Sequence, residues 1–270
     1  MSEHLSILSE FLNAPLECAD QIFERFVALP HAVTSIGPEA LQRYVYLPGT
    51  RKDRIVLVAH TDTVWDKAYN KPFSDAQSIE FEDGVFFSGN PTCGIGADCR
   101  AGCAMLWALR DCGHSILLVD GEEHGKRGAW YLRKTNRKLF RELNKHCYMI
   151  ELDWKGTECC LFNQVDNTAQ FKAYIEDVLG FTDSHAKGGT DLQVLCRHIC
   201  GVNIGVGYHG WHRPQERLVV SEWENTLAKL SAFLQQPQRR FRSKFFAPYL
   251  HFLKRCISKA LRITKKLLGK

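Results

Sequence analysis

A chain of 270 residues, 45% hydrophobic and 24% charged, has apolar material for one large core or two modest domains. No apolar run approaches the roughly 20 residues of a membrane-spanning helix. The formal charge of +5 is uneven: residues 237–270 hold eleven Lys or Arg and no Asp or Glu, so the body before them is mildly acidic and no nucleic-acid partner is expected.

The start, Met1-Ser-Glu-His4, lacks a basic segment followed by an apolar one, so no secretory leader is expected. Most of the eleven cysteines read as reduced, buried small hydrophobes of a cytoplasmic protein.

In chain order, residues 16–28 space apolar groups at helical intervals, with Pro30 just beyond. Residues 40–47 predict a strand ended by Pro48-Gly49. The valine-rich run Val56-Leu-Val-Ala-His60 predicts a strand buried on both faces, with His60-Thr-Asp62 at its carboxyl end. Residues 78–87, with Glu82-Asp83-Gly84 inside, predict a hairpin. A loop at 94–98 precedes a helix at 100–110. Residues 115–119 predict a strand ending in Asp120-Gly-Glu122-Glu123, and 128–138 a helix. Residues 147–152 predict a third buried strand, ending in Asp153. Residues 160–177 read as strand-rich. Gly188-Gly-Thr-Asp191 opens a helix, and 200–205 is a strand leading to Gly207-Tyr-His209-Gly-Trp-His212-Arg-Pro-Gln-Glu216. Ser221 begins a last helix to about Leu234, with Glu224 completing a capping box.

Strands alternating with helices predict an α/β fold: a doubly wound, mostly parallel sheet with helices on both faces. Ligands of such sheets bind at the carboxyl ends of the strands. His60, Asp62, Glu122, Glu123 and Asp153 fall at such ends, and Asp98 in a loop before a helix. A cluster of acids and an imidazole needs cations to offset it, and two metal ions are the simplest solution. Adjacent glutamates can divide the work: one binds metal while the other moves a proton.

The ordered set His60-Thr-Asp62, Gly96-Ala-Asp98-Cys-Arg-Ala-Gly102, Glu122-Glu123, Glu151-Leu-Asp153, Gly188-Gly-Thr-Asp191 and His212-Arg-Pro-Gln-Glu216 resembles the di-zinc exopeptidases and amidohydrolases. These are the co-catalytic aminopeptidases, tripeptidases, carboxypeptidases and aminoacylases. The resemblance spans about residues 15–235 and implies two zinc ions per chain. It implies His60 as a ligand oriented by Asp62, Asp98 as a bridge before a peptide that is often cis, and Glu122 as general base. Glu123 and Asp153 would complete the ions with a C-terminal histidine. His212 fits better than His209, because that ligand commonly precedes a Ser/Thr-Pro-x-Glu-like stretch. Gly189, Thr190 and Asp191 match a segment near the substrate, and His209 is expected as a further substrate contact. Two alternatives stay open: Asp191 as a helix cap, and Glu151 in place of Asp153.

Two departures stand out. Cys99 occupies a position where the family usually has a second acid. Only 34 residues separate Asp153 from Gly188, so the lid or dimerisation domain of larger relatives is not expected. The implied activity is cleavage of a peptide or amide bond, as an aminopeptidase or small-peptide hydrolase, or as a deacylase of N-acyl amino acids or other small amides. A catalytically silent binding module is the reading of another class.

Residues 1–236 are expected to form the catalytic domain and 237–270 a basic amphipathic tail, helical from Tyr249. The apolar groups of 239–270, interleaved with Lys and Arg, suit an anionic membrane surface or packing on the acidic body.

Overall fold

The buried runs of the sequence become the centre of one sheet. In the computed structural model, which describes residues 3–66, 77–162 and 165–244, the strands are β1 (Val33–Ile36), β2 (Arg43–Leu47), β3 (Val56–His60), β4 (Ile79–Glu82), β5 (Val85–Ser88), β6 (Ser115–Val119), β7 (Met149–Trp154), β8 (Cys159–Leu161), β9 (Thr182–Asp183), β10 (Gly201–Gly205), β11 (Tyr208–His209) and β12 (Arg217–Val219). The main sheet runs β1-β2-β6-β3-β7-β10-β8-β9. Its centre, β6-β3-β7-β10, is parallel; β2 and β8 join it antiparallel. A small antiparallel sheet, β11-β12-β5-β4, stands beside it.

The helices are α1 (Glu3–Leu12), α2 (Asp20–Val27), α3 (Ala97–Ala108), α4 (Arg127–Thr135), α5 (Arg137–Leu143), α6 (Ala169–Leu179), α7 (Leu192–Leu195) and α8 (Val220–Gln235). Alternate strand residues feed two cores. Leu57, Ala59, Ile116, Leu118, Ile150 and Leu152 join residues of α1, α2, α3, α6 and α8. Val56, Val58, Leu117, Val119 and Met149 join residues of α4, α5 and α7. Period-2 side chains on a two-faced sheet require this division.

Several local expectations change. Residues 160–177 are mainly helical: β8 is short, and Thr168 caps α6 by accepting the Phe171 N–H. Phe171, Ile175 and Leu179 follow at four-residue spacing and are all buried, the mark of a helix face. The expected helix 128–138 is two helices, because Asn136 ends α4 and caps α5, accepting from Leu139 N at 3.0 Å. The capping box at Ser221 does not form: α8 starts at Val220, and its cap position, Val219, makes no side-chain cap bond. Helix α1 and edge strand β1 are additions to the sequence reading.

Residues 154–187 add β8, α6 and β9 to the edge of the main sheet, with no inserted domain among the described residues. Residues 237–244 lie against the body: Phe241 N donates to Cys147 O, and its ring packs with Tyr148, Phe171 and Tyr174. The helix expected from Tyr249 lies outside the described residues. No described helix is long and apolar enough to cross a membrane, and the described cysteines are all free.

Candidate metal centre and active site

Three carboxyl ends of the parallel strands and the start of α3 meet at one cleft of about 310 Å³. Strand β3 delivers His60. Its Nε2 lies 2.9 Å from Asp153 Oδ1, at the end of β7, and 3.2 Å from Asp98 Oδ1. The other Asp98 oxygen, Oδ2, lies 3.1 Å from His212 Nε2. That nitrogen is also 2.7 Å from Glu123 Oε1, in the turn after β6. Asp98 thus faces one half-site with each oxygen, between His60–Asp153 and Glu123–His212. The Asp98–Cys99 peptide is cis.

Local structure explains these positions. Regular helix begins only after Asp98 and Cys99, whose backbone angles are non-helical. Helix α3 can approach β7 because Gly102 has no side chain: a Cβ there would lie 1.8 Å from Leu152 O. Glu216 shapes the loop from the far side. Its Oε2 accepts from Ile95 N and Gly96 N at 3.0 and 2.7 Å, and its Oε1 from Asp98 N at 3.2 Å. Glu216 was part of a motif in the sequence, but its role was not; its partners are backbone groups about 120 residues away.

Asp62 organises the opposite wall. It faces His60 Nδ1 at 3.2 Å and accepts the N–H groups of Gly121, Glu122 and Glu123. Gly121 permits the turn: its φ is +76°, and a Cβ would meet Leu41 and Arg127 side chains within 3 Å. Glu122 lines the cleft next to Lys126, with Oε1 3.2 Å from Nζ.

Burial and crowding set the proton affinities. Burial and the charge of Asp98 push Asp153 up to about 8 and Glu123 up to about 7. Burial opposes a charged imidazole, yet hydrogen bonds to Asp98 and Glu123 raise His212 to about 10. Burial likewise opposes the His60 cation, but Asp153, Asp62 and Asp98 hold its value well above the ordinary one. Burial would raise Asp98; the hydrogen bonds of His212 and His60 instead keep it well below the usual carboxylate range. The protein carries an acid–imidazole cluster that protons hold together, a set of N and O donors suited to divalent zinc.

Cys99 stands beside the first half-site: its Sγ and the ligand atoms of His60 and Asp153 all lie within 4.8 Å of one another. The thiol nevertheless donates to Leu152 O at 3.1 Å, and burial pushes its pKa well above the ordinary value.

The remaining expected residues divide. Gly188 and Gly189 line the cleft. Thr190 and Asp191 are buried and do not line it. Asp191 stands at the N-cap position of α7, as the capping alternative has it, but its side chain makes no cap bond. Glu151 accepts Asp191 N at 3.1 Å, while Asp153 is the β7 acid that meets His60, at 2.9 Å. His209 is absent from the cleft lining and pairs instead with Glu222 of α8 at 2.8 Å. It is His212 that meets the two acids.

No protein-family model matches the chain, and no curated protein matches it in sequence. Solved structures match in fold. A tripeptidase from Staphylococcus aureus superposes with a TM-score of 0.63 at 14% identity, covering 86% of this chain and 97% of the other. The aminopeptidase PepT from Bacillus cereus gives 0.57 at 15%, covering 86% and 97%. The TET1 peptidase of Pyrococcus horikoshii gives 0.58 at 12%, covering 86% and 99%. At such identities the likeness shows the fold: the α/β, zinc exopeptidase-like architecture.

Proposed function

We propose that this chain, which has the zinc exopeptidase-like fold, is a two-zinc hydrolase of peptide or amide bonds, acting as an aminopeptidase or small-peptide hydrolase. One observation carries the reading: Asp98 presents one oxygen to His60 and the other to His212, while Glu122 stands beside them on the cleft wall outside either group. The solved structures of like fold that are named as peptidases support it.

His60, Asp98 and Asp153 would hold one ion, and Asp98, Glu123 and His212 the other. Bound there, two zinc ions polarise a carbonyl and lower the pKa of water toward neutrality. The chain's own residues do the rest. Glu122 accepts the proton of the attacking water and returns it to the leaving amine. Lys126 steadies the Glu122 carboxylate from 3.2 Å. Asp62 keeps the His60 ring turned inward and fixes the backbone of both glutamates. Deacylation of an N-acyl amino acid would use the same atoms. A complete ligand set with Glu122 in place favours an enzyme over a silent binding module.

The test is hydrolysis of a mixed set of aminoacyl amides, dipeptides and N-acyl amino acids by zinc-loaded protein. Cleavage that a chelator abolishes and zinc restores is expected. Cleavage that persists through complete zinc removal contradicts the proposal.

A further inference from the structure

The charges on the cleft wall carry information about the substrate. The carboxylates that line it are Asp98, Glu122, Glu123 and Asp153. On the two-zinc reading, on which this inference rests, all four are occupied: three with metal and Glu122 with proton transfer. The cations that line it are Lys126, Lys155 and Lys187. Lys126 is paired with Glu122. Lys155 and Lys187 pair with no carboxylate among the described residues. With the ions in place, the free charge facing a substrate is positive.

Lys155 follows β7 directly after Trp154. Its Nζ sits 3.3 Å from the centroid of the Trp211 ring and 5.3 Å from that of Trp154. An aromatic face holds an ammonium electrostatically while leaving its N–H donors free for an anion. Lys187 lies at the start of the Gly188-Gly189 segment. That segment runs close to the base: a Cβ on Gly189 would lie 3.2 Å from Glu122 Oε1.

We propose that Lys155, seated on Trp211 and assisted by Lys187, receives a carboxylate of the substrate, so that this chain acts on small peptides or N-acyl amino acids that carry a free carboxylate. Among the described residues that line the cleft, every acid is already assigned, so none is left to pair with a substrate ammonium group. The carboxylate has two sources, a C-terminal α-carboxylate or an acidic side chain.

The test compares kcat/KM of zinc-loaded wild type and Lys155→Gln/Lys187→Gln on Ala-Ala, Ala-Ala amide and Ala-Glu amide. Amidation of Ala-Ala is expected to cost the wild type about ten- to a hundredfold, the range of one charge-assisted hydrogen bond. The ratio should fall toward one in the double variant. Recovery with Ala-Glu amide assigns the contact to a side chain; its failure assigns it to the chain end. Equal turnover of acid and amide by wild type, or a ratio unchanged in the variant, overturns the proposal. If nothing is hydrolysed, the hydrolase reading fails, and the subsite is tested separately through tryptophan fluorescence. N-acetylalanine should then bind about tenfold or more tightly than N-acetylalaninamide, and the double variant should lose that preference. Loss in the variant separates this contact from carboxylate binding at the ions. Equal binding of the two probes overturns it.

Discussion

Asp62 accepts the backbone N–H of Glu122 at 3.0 Å with the same oxygen that faces His60 Nδ1 at 3.2 Å. One carboxylate therefore joins the orientation of the β3 histidine to the placement of the turn after β6. Asp62→Ala removes both effects and leaves buried N–H groups without an acceptor. Metal affinity should fall about 10- to 100-fold, as for other partners of ligating histidines, with turnover falling alongside. Zinc titration and kcat together check this. Unchanged zinc affinity in Asp62→Ala would deny its orienting role.

The two half-sites should empty separately. His60→Ala is expected to lose one ion and keep that of Glu123 and His212, while His212→Ala does the reverse. Asp98→Ala, which touches both groups, should lose affinity for both. Zinc counted by mass spectrometry after gel filtration reads the outcome. Retention of two ions by Asp98→Ala would contradict its place between them.

Proton affinity gives a pH signature. Asp153, at about 8, and Glu123, at about 7, bind protons more tightly folded than unfolded. Their contribution to stability is present at low pH and is lost as pH rises through those values. His212, raised to about 10, contributes fully below its ordinary value and loses its share as pH rises through about 10. All three signs agree. Zinc-free protein should lose thermal stability as pH rises from about 4, the ordinary carboxylate range, to about 10, and the stabilisation by zinc should grow over the same range as the metal displaces those protons. Thermal unfolding with and without zinc tests this. A zinc effect that shrinks as pH rises would contradict it.

The parts of the fold legible in the sequence were those set by burial on two faces. In Val56-Leu-Val-Ala-His60 and the runs at 115–119 and 147–152 the apolar residues fill two cores, one on each face, so polar residues inside them are few: Ser115 and Glu151, both buried. The polar ends then mark the site. Helix α6 was misread because its face holds only three residues, at 171, 175 and 179, among aromatic and β-branched neighbours. The candidate site was legible as an ordered set of acids and histidines. Its supports were not. Glu216 serves three backbone N–H groups distant in sequence, and His209 is drawn off by Glu222 thirteen residues on. Neither pairing leaves a local pattern.

Gly102 tests how closely α3 must approach β7. An added methyl would meet Leu152 O, which is backbone and cannot swing aside. Gly102→Ala should destabilise by at least the upper end of about 1–3 kcal/mol and weaken zinc binding, since the helix start carries Asp98 and the strand carries Asp153. Chemical denaturation and zinc titration measure both. A variant of wild-type stability would show that the helix has room to shift.

The most direct test of a Glu122 base beside two zinc ions is zinc content and turnover of Glu122→Gln against wild type. Two zinc ions in both proteins, with turnover of the variant lower by about 10²- to 10⁴-fold, is the expected result. Equal turnover by the variant with its zinc retained would contradict the assignment of Glu122 and the chemistry built on it.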